Sequence, residues 1–257
     1  MDTITGLVLT YNGERLLEKC LQSLDFCDEV LVVDSESTDA TADIARRMGA
    51  RVLTRAWEGP VPQFRFALER IDSDWVVSLD QDEFLSPELR AAILVRLRKE
   101  RPAESLAGYF VHRRSFYFNR FLKHSGWYPD RLLRVFRPGR MEVTASGAHY
   151  HFHPQGETAT LDADIVHYPY SNFREHLDKI NSYAEQGAAD LRSKGRRGGL
   201  VRAVAHAKLR FFKLYVLKLG FLDGRAGLIN ALAGAYYAFQ KHLRVMEKGD
   251  WGAPYDG

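Results

Sequence analysis

The sequence predicts an α/β fold: a mainly parallel central sheet followed by a C-terminal helical extension. Three observations carry this expectation. Apolar runs of strand length alternate with helical periodicities from Thr5 to Asp80, short aromatic and basic β-type runs follow from Gly108 to Val166, and the chain reads as helical from Ser171 onward. Strands that alternate with helices imply parallel neighbours covered on both faces, because each crossover helix returns the chain to the same edge of the sheet.

Each element has a local reason. Thr5 to Leu9 is an apolar strand, after which Leu16, Leu17, Cys20, Leu21 and Leu24 recur at helical spacing. Val30 to Val33 forms a second strand that stops at Asp34. Ser35-Glu36-Ser37-Thr38-Asp39 then supplies a turn and an N-cap for a helix through Met48, with Gly49 as its stop. Arg51 to Thr54 is a short strand, Val61 to Arg70 a helix, and Trp75 to Asp80 a fourth strand. Ser86 caps the next helix, with Pro87 at its first position, where a missing N–H costs nothing. Tyr109 to Phe118, Leu132 to Phe136 and Thr160 to Val166 form mixed or antiparallel sheet, expected to pack on the first half. Gly195-Arg196-Arg197-Gly198-Gly199 and Asp223-Gly224 break the helical part.

At 257 residues and 46% hydrophobic content, the chain can bury one large core or two small ones. A formal net charge of +3 does not describe a nucleic-acid binder. Two cysteines, Cys20 and Cys27, are too few for a disulfide framework, and Cys20 reads as a reduced core thiol. Nothing after Met1 resembles a signal peptide. The longest late uncharged stretch, Ala226 to Gln240, falls short of the roughly 20 apolar residues a spanning helix needs. A cytoplasmic protein is expected.

The most informative stretch is Val76-Val77-Ser78-Leu79-Asp80-Gln81-Asp82-Glu83, an apolar strand ending in three carboxylates within four positions. Like charges this close repel, and a divalent cation relieves the repulsion. Hard cations prefer carboxylate oxygens, and Mg²⁺ is usually held by one or two carboxylates plus substrate phosphates. Ligands of open α/β sheets bind beyond the carboxyl ends of the strands. Thr10-Tyr11-Asn12, Asp34-Ser35 and Asp80-Gln81-Asp82 follow the first, second and fourth strands, so they are expected on one edge. The pattern points to a metal-bound diphosphate, hence a nucleotide-activated substrate. For the cluster alone, a solvated acidic turn is the competing reading.

Leu9-Thr10-Tyr11-Asn12, Val33-Asp34-Ser35-Glu36-Ser37-Thr38-Asp39 and Asp80-Gln81-Asp82-Glu83 resemble the three signatures of family 2 inverting glycosyltransferases with a GT-A fold. His124-Ser125-Gly126-Trp127-Tyr128-Pro129-Asp130-Arg131, Arg134-Val135-Phe136-Arg137 and Gly220-Phe221-Leu222-Asp223-Gly224 resemble the bacterial subgroup that adds glucose to the heptose region of the lipopolysaccharide inner core. The resemblance covers nearly the whole chain. It implies a GT-A catalytic domain over residues 1–170, with a donor-nucleotide half (1–106) and an acceptor half (107–170), and a helical, basic extension over 171–257.

The resemblance further implies a UDP-sugar donor, a glycolipid acceptor and a Mg²⁺ or Mn²⁺ ion. Thr10, Tyr11 and Asn12 are expected to bind the donor, with Tyr11 packing on the uracil ring. Asp34 would accept from the ring N–H of the base or from a ribose hydroxyl, and Gln63 and Arg65 would reach the donor phosphates or base. Asp80 would lie nearer the ribose and share the metal with Asp82, its main ligand, while Glu83 would support them. The chain departs from the family pattern twice. The usual Asn-Glu-Glu after the first strand is Asn12-Gly13-Glu14, and a Glu of the subgroup's Val-His-Glu falls on Tyr150.

An inverting transfer needs one base to deprotonate the acceptor hydroxyl as it attacks opposite the leaving diphosphate. Asp130, held by the stiff Trp127-Tyr128-Pro129 segment, is one candidate, with a salt bridge to Arg131 or Arg134 as its structural alternative. His149, a neutral imidazole at pH 7, is the other. His149, His151 and His153 alternate on one strand face, but a further ligand at zinc spacing is missing.

Between Leu191 and Leu222 there is no acidic residue, and nine Lys or Arg residues fall within that stretch. Arg202, His206, Arg210 and Lys213 form one helical stripe beside Val201, Val204, Phe212, Tyr215 and Val216. Such a helix suits an anionic bilayer surface, here the inner face of the cytoplasmic membrane. The competing functions are a sugar-nucleotide pyrophosphorylase, which would carry a Gly-rich loop after the first strand, and a non-catalytic membrane-docking module, which would not hydrolyse UDP-glucose.

Overall fold

The computed structural model describes residues 2–146 and 149–247, with the side chains of Ser146 and His149 outside the described set. The first half has the expected strands and helices, except that its second helix starts from Ala40 with no side-chain cap, where residues 35–39 were expected to supply one. Strand β1 (Ile4–Thr10) leads to α1 (Leu17–Ser23), β2 (Glu29–Asp34), α2 (Thr41–Arg47), β3 (Arg51–Thr54), α3 (Pro60–Leu68) and β4 (Trp75–Asp80). β1 runs parallel to both β2 and β4, and β2 runs parallel to β3. Gly49 ends the second helix with a φ of 80°, a backbone conformation that a residue without Cβ adopts cheaply. Ser86 caps α4 (Pro87–Leu94) by accepting from the Leu89 N–H at 3.2 Å.

Between β4 and α4 lies β5 (Glu83–Leu85), a three-residue strand that the sequence pattern does not announce because carboxylates precede it. Then follow β6 (Leu106–Tyr117), β7 (Arg120–Phe121), β8 (Asp130–Phe136), the hairpin of β9 (Met141–Ser146) and β10 (His149–Pro154), and β11 (Glu157–His167). The acceptor half does not pack on the first half as a separate layer. It extends the same sheet, in the order β3-β2-β1-β4-β8-β6-β11-β5. The join is antiparallel, Val76 opposite Phe136 and Val77 opposite Val135, whereas β11 returns parallel to β6. Because β8 is antiparallel to β4 and to β6, the start of β8 and the ends of β4, β6 and β11 share one edge.

The core lies on the two faces of this sheet. On one, Leu17, Leu21, Leu24, Leu89, Ile93 and Trp75 are buried together with Cys20; on the other, Phe64 and Ala67 of α3 meet Leu7, Val33, Val76 and Phe136. Fully burying one such aliphatic or aromatic side chain contributes about 1.5–3 kcal/mol.

By contact pattern the chain forms two compact units. One holds the chain up to Lys123 and from Trp127 to Pro169; the other holds His124–Gly126 and the chain from Tyr170 onward. In the second unit α5 (Phe173–Ser193), α6 (Leu200–Phe212) and α7 (Gly224–Arg244) pack through small residues, with Ala184, Ala188, Ala203, Ala231 and Ala238 buried. The His124–Gly126 turn is held there by Asp223, whose carboxylate accepts from the His124 N–H at 2.8 Å, and by the Lys218 carbonyl, which accepts from Ser125 N–H at 2.7 Å. No helix among the described residues is long and apolar enough to cross a membrane.

Candidate active site

The polar ends of β1, β2 and β4 meet on one edge, because the parallel register sets Thr10 beside Asp34 and Leu9 beside Asp80. Gln81 fastens the first loop. Its side-chain carbonyl accepts from the Thr10 hydroxyl at 2.6 Å and from the Tyr11 N–H at 2.8 Å, and its amide donates to the Tyr11 carbonyl at 3.1 Å. Gly13 lies tightly against Gln81 and Thr10, so a side chain there would displace them. The Tyr11 ring is left 56% exposed, an aromatic face open to a planar partner.

Asn12 bonds the first loop to the second, accepting from Thr38 N–H and donating its own N–H to Ser37 Oγ, both at 2.8 Å. Asp34 is buried and turns inward: both its oxygens accept from Ser37, from the N–H at 3.0 Å and from the hydroxyl. Gln63, expected on the donor, is fully buried and donates to Ser35 Oγ at 3.0 Å and to the Arg55 carbonyl at 3.1 Å. Its role is therefore to hold the Asp34-Ser35 turn from beneath, not to touch a ligand. Arg65 is exposed on α3, with no ion pair among the described residues.

The carboxylates after β4 have three different surroundings. Asp80 is engaged on both oxygens: Oδ2 accepts from Arg134 Nη2 at 2.7 Å and Oδ1 accepts from the Tyr150 hydroxyl at 2.8 Å. Partial burial alone would raise its pKa, but the Arg134 guanidinium and the Tyr150 hydroxyl hold it at about 2. Each Asp80 oxygen thus already has one protein donor, which leaves it fewer open lone pairs than Asp82 to offer a cation. Glu83 is fully buried and accepts from the Asp80 N–H at 3.0 Å, from Arg113 Nη1 at 2.8 Å and from Arg134 Nη2 at 3.1 Å.

Asp82 is the carboxylate left over. Its side chain is 23% exposed and accepts no hydrogen bond among the described residues; its nearest partner is His167 Nε2, 3.6 Å from Oδ2. The other ring nitrogen of His167 meets Ser115 Oγ at 2.8 Å, which fixes the ring with Nε2 toward Asp82.

Tyr150 occupies the position of the family Glu. Its ring packs on Phe64, centroids 4.6 Å apart, and its hydroxyl touches both Asp80 and Arg134. Burial pushes the hydroxyl well above the usual tyrosine range; Arg134 opposes this and the Asp80 carboxylate adds to it. Tyr150 is thus a neutral hydrogen-bond donor, not a base.

Asp130 opens β8 opposite Arg113 in the β6 register. Arg113 donates from Nε at 2.9 Å and from Nη2 at 2.7 Å, both to Oδ2 of Asp130. The salt-bridge partner is therefore Arg113 rather than Arg131 or Arg134. Oδ1 of Asp130 accepts nothing among the described residues, and the side chain is 35% exposed. His149 starts β10, but its side chain lies outside the described residues.

Sequence reading missed Arg113, Ser115 and His167 and did not set Arg134 and Tyr150 against Asp80. The available signal was arginine inside strands. A guanidinium in the middle of a buried sheet requires carboxylates around it, and Arg134 is almost wholly buried.

The edge thus joins an exposed aromatic ring to one carboxylate beside an imidazole and another beside a guanidinium. Residues 7–154 match the model of glycosyl transferase family 2, and the chain belongs to that family. It is a glycosyltransferase. Among its relatives is the lipopolysaccharide core biosynthesis glycosyltransferase LpsC of Rhizobium meliloti (strain 1021), 27% identical over 95% of this chain and 92% of the relative. An uncharacterized glycosyltransferase of Rickettsia bellii (strain RML369-C) is 27% identical over 95% of this chain and 86% of its own. A solved structure similar to it is glucosyl-3-phosphoglycerate synthase of Mycobacterium tuberculosis, in complex with Mn²⁺, UDP and glucosyl-3-phosphoglycerate. That match has a TM-score of 0.48 and 16% identity, and covers 77% of this chain and 82% of that one.

Proposed function

We propose that the protein transfers a hexose, glucose being the expected one, from a UDP-sugar to a lipopolysaccharide-core or other glycolipid acceptor, with inversion and with a divalent metal. The observation that carries this reading is that Asp82 and Asp130 are left short of hydrogen-bond donors among the described residues, whereas Asp34, Asp80 and Glu83 each have donors on both oxygens. The core-biosynthesis relative supports the acceptor class.

The residues present fit a Mg²⁺ or Mn²⁺ ion of one kind. No group of three or more His, Cys, Asp or Glu among the described residues could hold an ion alone. Asp82, with His167 beside it, supplies one or two ligands, and donor phosphates and water would complete the set. When bound there, the ion neutralises charge on the departing UDP. The protein does the rest. Tyr11 offers its face to the uracil ring, and the Asp34 turn and Asp80 lie toward the ribose. Asp130 Oδ1 takes the proton of the acceptor hydroxyl, while the Arg113 contact on Oδ2 fixes which oxygen faces the acceptor. No covalent enzyme intermediate is required.

A lipid-linked acceptor fits the second unit. On α6 and the turn after it Val201, Leu209 and Leu217 are exposed, Phe212 and Val216 with them, beside Arg202, Lys208, Arg210, Lys213 and Lys218. Apolar side chains exposed within a basic, acid-free segment suit the headgroup region of an anionic bilayer.

The test of the function is stereochemical. Incubation of the protein with UDP-α-glucose, Mn²⁺ and de-O-acylated lipopolysaccharide core, followed by NMR of the product, should show a β-linked glucose. An α-linked product would overturn the inverting single-base mechanism, and transfer only from GDP- or dTDP-sugars would overturn the donor.

A further inference from the structure

Glu83 stands at the middle of a chain of charges that runs from the donor side of the site to the acceptor side. Asp80 meets Arg134 at 2.7 Å, Arg134 meets Glu83 at 3.0 Å, Glu83 meets Arg113 at 2.8 Å, and Arg113 meets Asp130 at 2.7 Å. Three carboxylates alternate with two guanidiniums. Glu83 is the only member of this chain with no exposed surface. Its backbone is pinned as well, opposite His167 in the β5–β11 pairing.

The two ends of the chain depend on it unequally. Asp80 has a second anchor, the Tyr150 hydroxyl, and its Arg134 is itself held by Tyr150. Among the described residues Asp130 has Arg113 alone, and the guanidinium of Arg113 is oriented by Glu83 from the other side. Arg113 spends Nε and Nη2 on one oxygen of Asp130 and Nη1 on Glu83, so the fork cannot rotate without breaking one set of bonds. A carboxylate exchanged for an amide at Glu83 would leave two guanidiniums facing each other without the anion between them.

We propose that Glu83 is a positioning residue for the transfer: through Arg113 it fixes Asp130 so that Oδ1 faces the acceptor, while Arg113 and Arg134 serve as spacers rather than phosphate ligands. This rests on the reading of Asp130 as the base. Glu83 touches no substrate, so its effect passes through Asp130 and falls on turnover rather than on donor binding.

The test is a double-mutant cycle on the full chain, with UDP affinity measured by calorimetry in Mn²⁺ and turnover measured at saturating UDP-glucose. Glu83→Gln should keep UDP affinity within about threefold of wild type while kcat falls by roughly 10²-fold, the scale of a lost general base. Adding Glu83→Gln to Asp130→Asn should cost less than about threefold more, because the two residues act as one device. Multiplicative losses in the double variant, or a Glu83→Gln enzyme with kcat near wild type, would overturn the proposal. A tenfold or greater loss of UDP affinity would do the same, by making the arginines donor ligands. If Glu83→Gln does not fold, Glu83→Asp, which keeps the charge and shortens the reach, is put through the same cycle with the same expectations. Wild-type protein that neither binds UDP nor transfers glucose would count against the function itself, a failure distinct from these.

Discussion

Five carboxylates on the active edge, Asp34, Asp80, Asp82, Glu83 and Asp130, divide into two kinds, and Glu83, with donors on both oxygens, belongs to the first. Asp34 and Asp80 have both oxygens engaged by protein donors, Ser37 in one case and Arg134 with Tyr150 in the other. Among the described residues Asp82 and Asp130 do not: one faces a histidine beyond hydrogen-bond distance, and the other keeps a whole oxygen free of protein donors. Acids engaged on both oxygens shape loops and fix strands, whereas an acid left short of partners has capacity for a cation or a proton. That difference separates architecture from chemistry among side chains of the same type. Each experiment below tests it.

The largest effect is expected at Asp82. Asp82→Ala should abolish transfer, a loss of at least about 10³-fold, and remove the metal-dependent part of donor binding without lowering thermal stability. Asp80→Asn, by contrast, should lower the melting temperature, because it leaves the buried Arg134 short of an anion. Equal thermal behaviour of the two variants would break the comparison. Next is Asp130→Asn, which keeps shape and removes basicity. Turnover should fall by roughly 10²-fold or more with UDP affinity unchanged. If His149→Ala is the more damaging change in a kinetic assay, the base is the histidine.

A smaller effect concerns the second unit. Each basic residue near an anionic surface contributes about 1 kcal/mol before screening. Changing Arg202, Arg210, Lys213 and Lys218 together to Gln should therefore release the protein from phosphatidylglycerol vesicles in a sedimentation assay, while hydrolysis of UDP-glucose persists. Equal sedimentation of variant and wild type would reduce the stripe to a solvated face.

The smallest effect is the pH dependence of stability. His176 is buried; that burial, with Lys179 nearby, lowers its pKa from 6.5 to about 4. The unfolded chain then binds the proton first, so the stability His176 contributes is present above about pH 6.5 and is lost as pH falls toward 4. Asp80, held at about 2 against about 3.9 unfolded, keeps its contribution until pH falls below about 4. Hydrogen exchange followed by mass spectrometry should show α5 loosening at pH 5 while β4 and β8 stay protected. Simultaneous loosening would contradict the assignment.

What the sequence disclosed divides along the same line. The donor half was legible because each strand, turn and cap is coded locally: apolar runs, Gly49, Ser86-Pro87 and the acids after β2 and β4 need no distant partner to be read. β5 was hidden because its three residues pair only with β11, far along the chain. The roles of Arg113 and Arg134 were hidden for the same reason, since a guanidinium reads as surface charge until the sheet brings it to Glu83. Gln63 misled because proximity in sequence to a ligand loop does not distinguish touching the ligand from supporting the loop. The split between Asp80 and Asp82 could not be read from a shared motif, because Arg134 and Tyr150 decide it and both come from other strands.

The most direct test of the central claim, a metal-dependent site for a uridine diphospho-sugar built around Asp82, is a calorimetric titration of the wild-type protein with UDP-glucose, in Mn²⁺ and again in EDTA. Mn²⁺ should tighten binding by tenfold or more, and GDP-glucose should bind weakly under either condition. Equal affinity for UDP-glucose with and without the metal would contradict that claim.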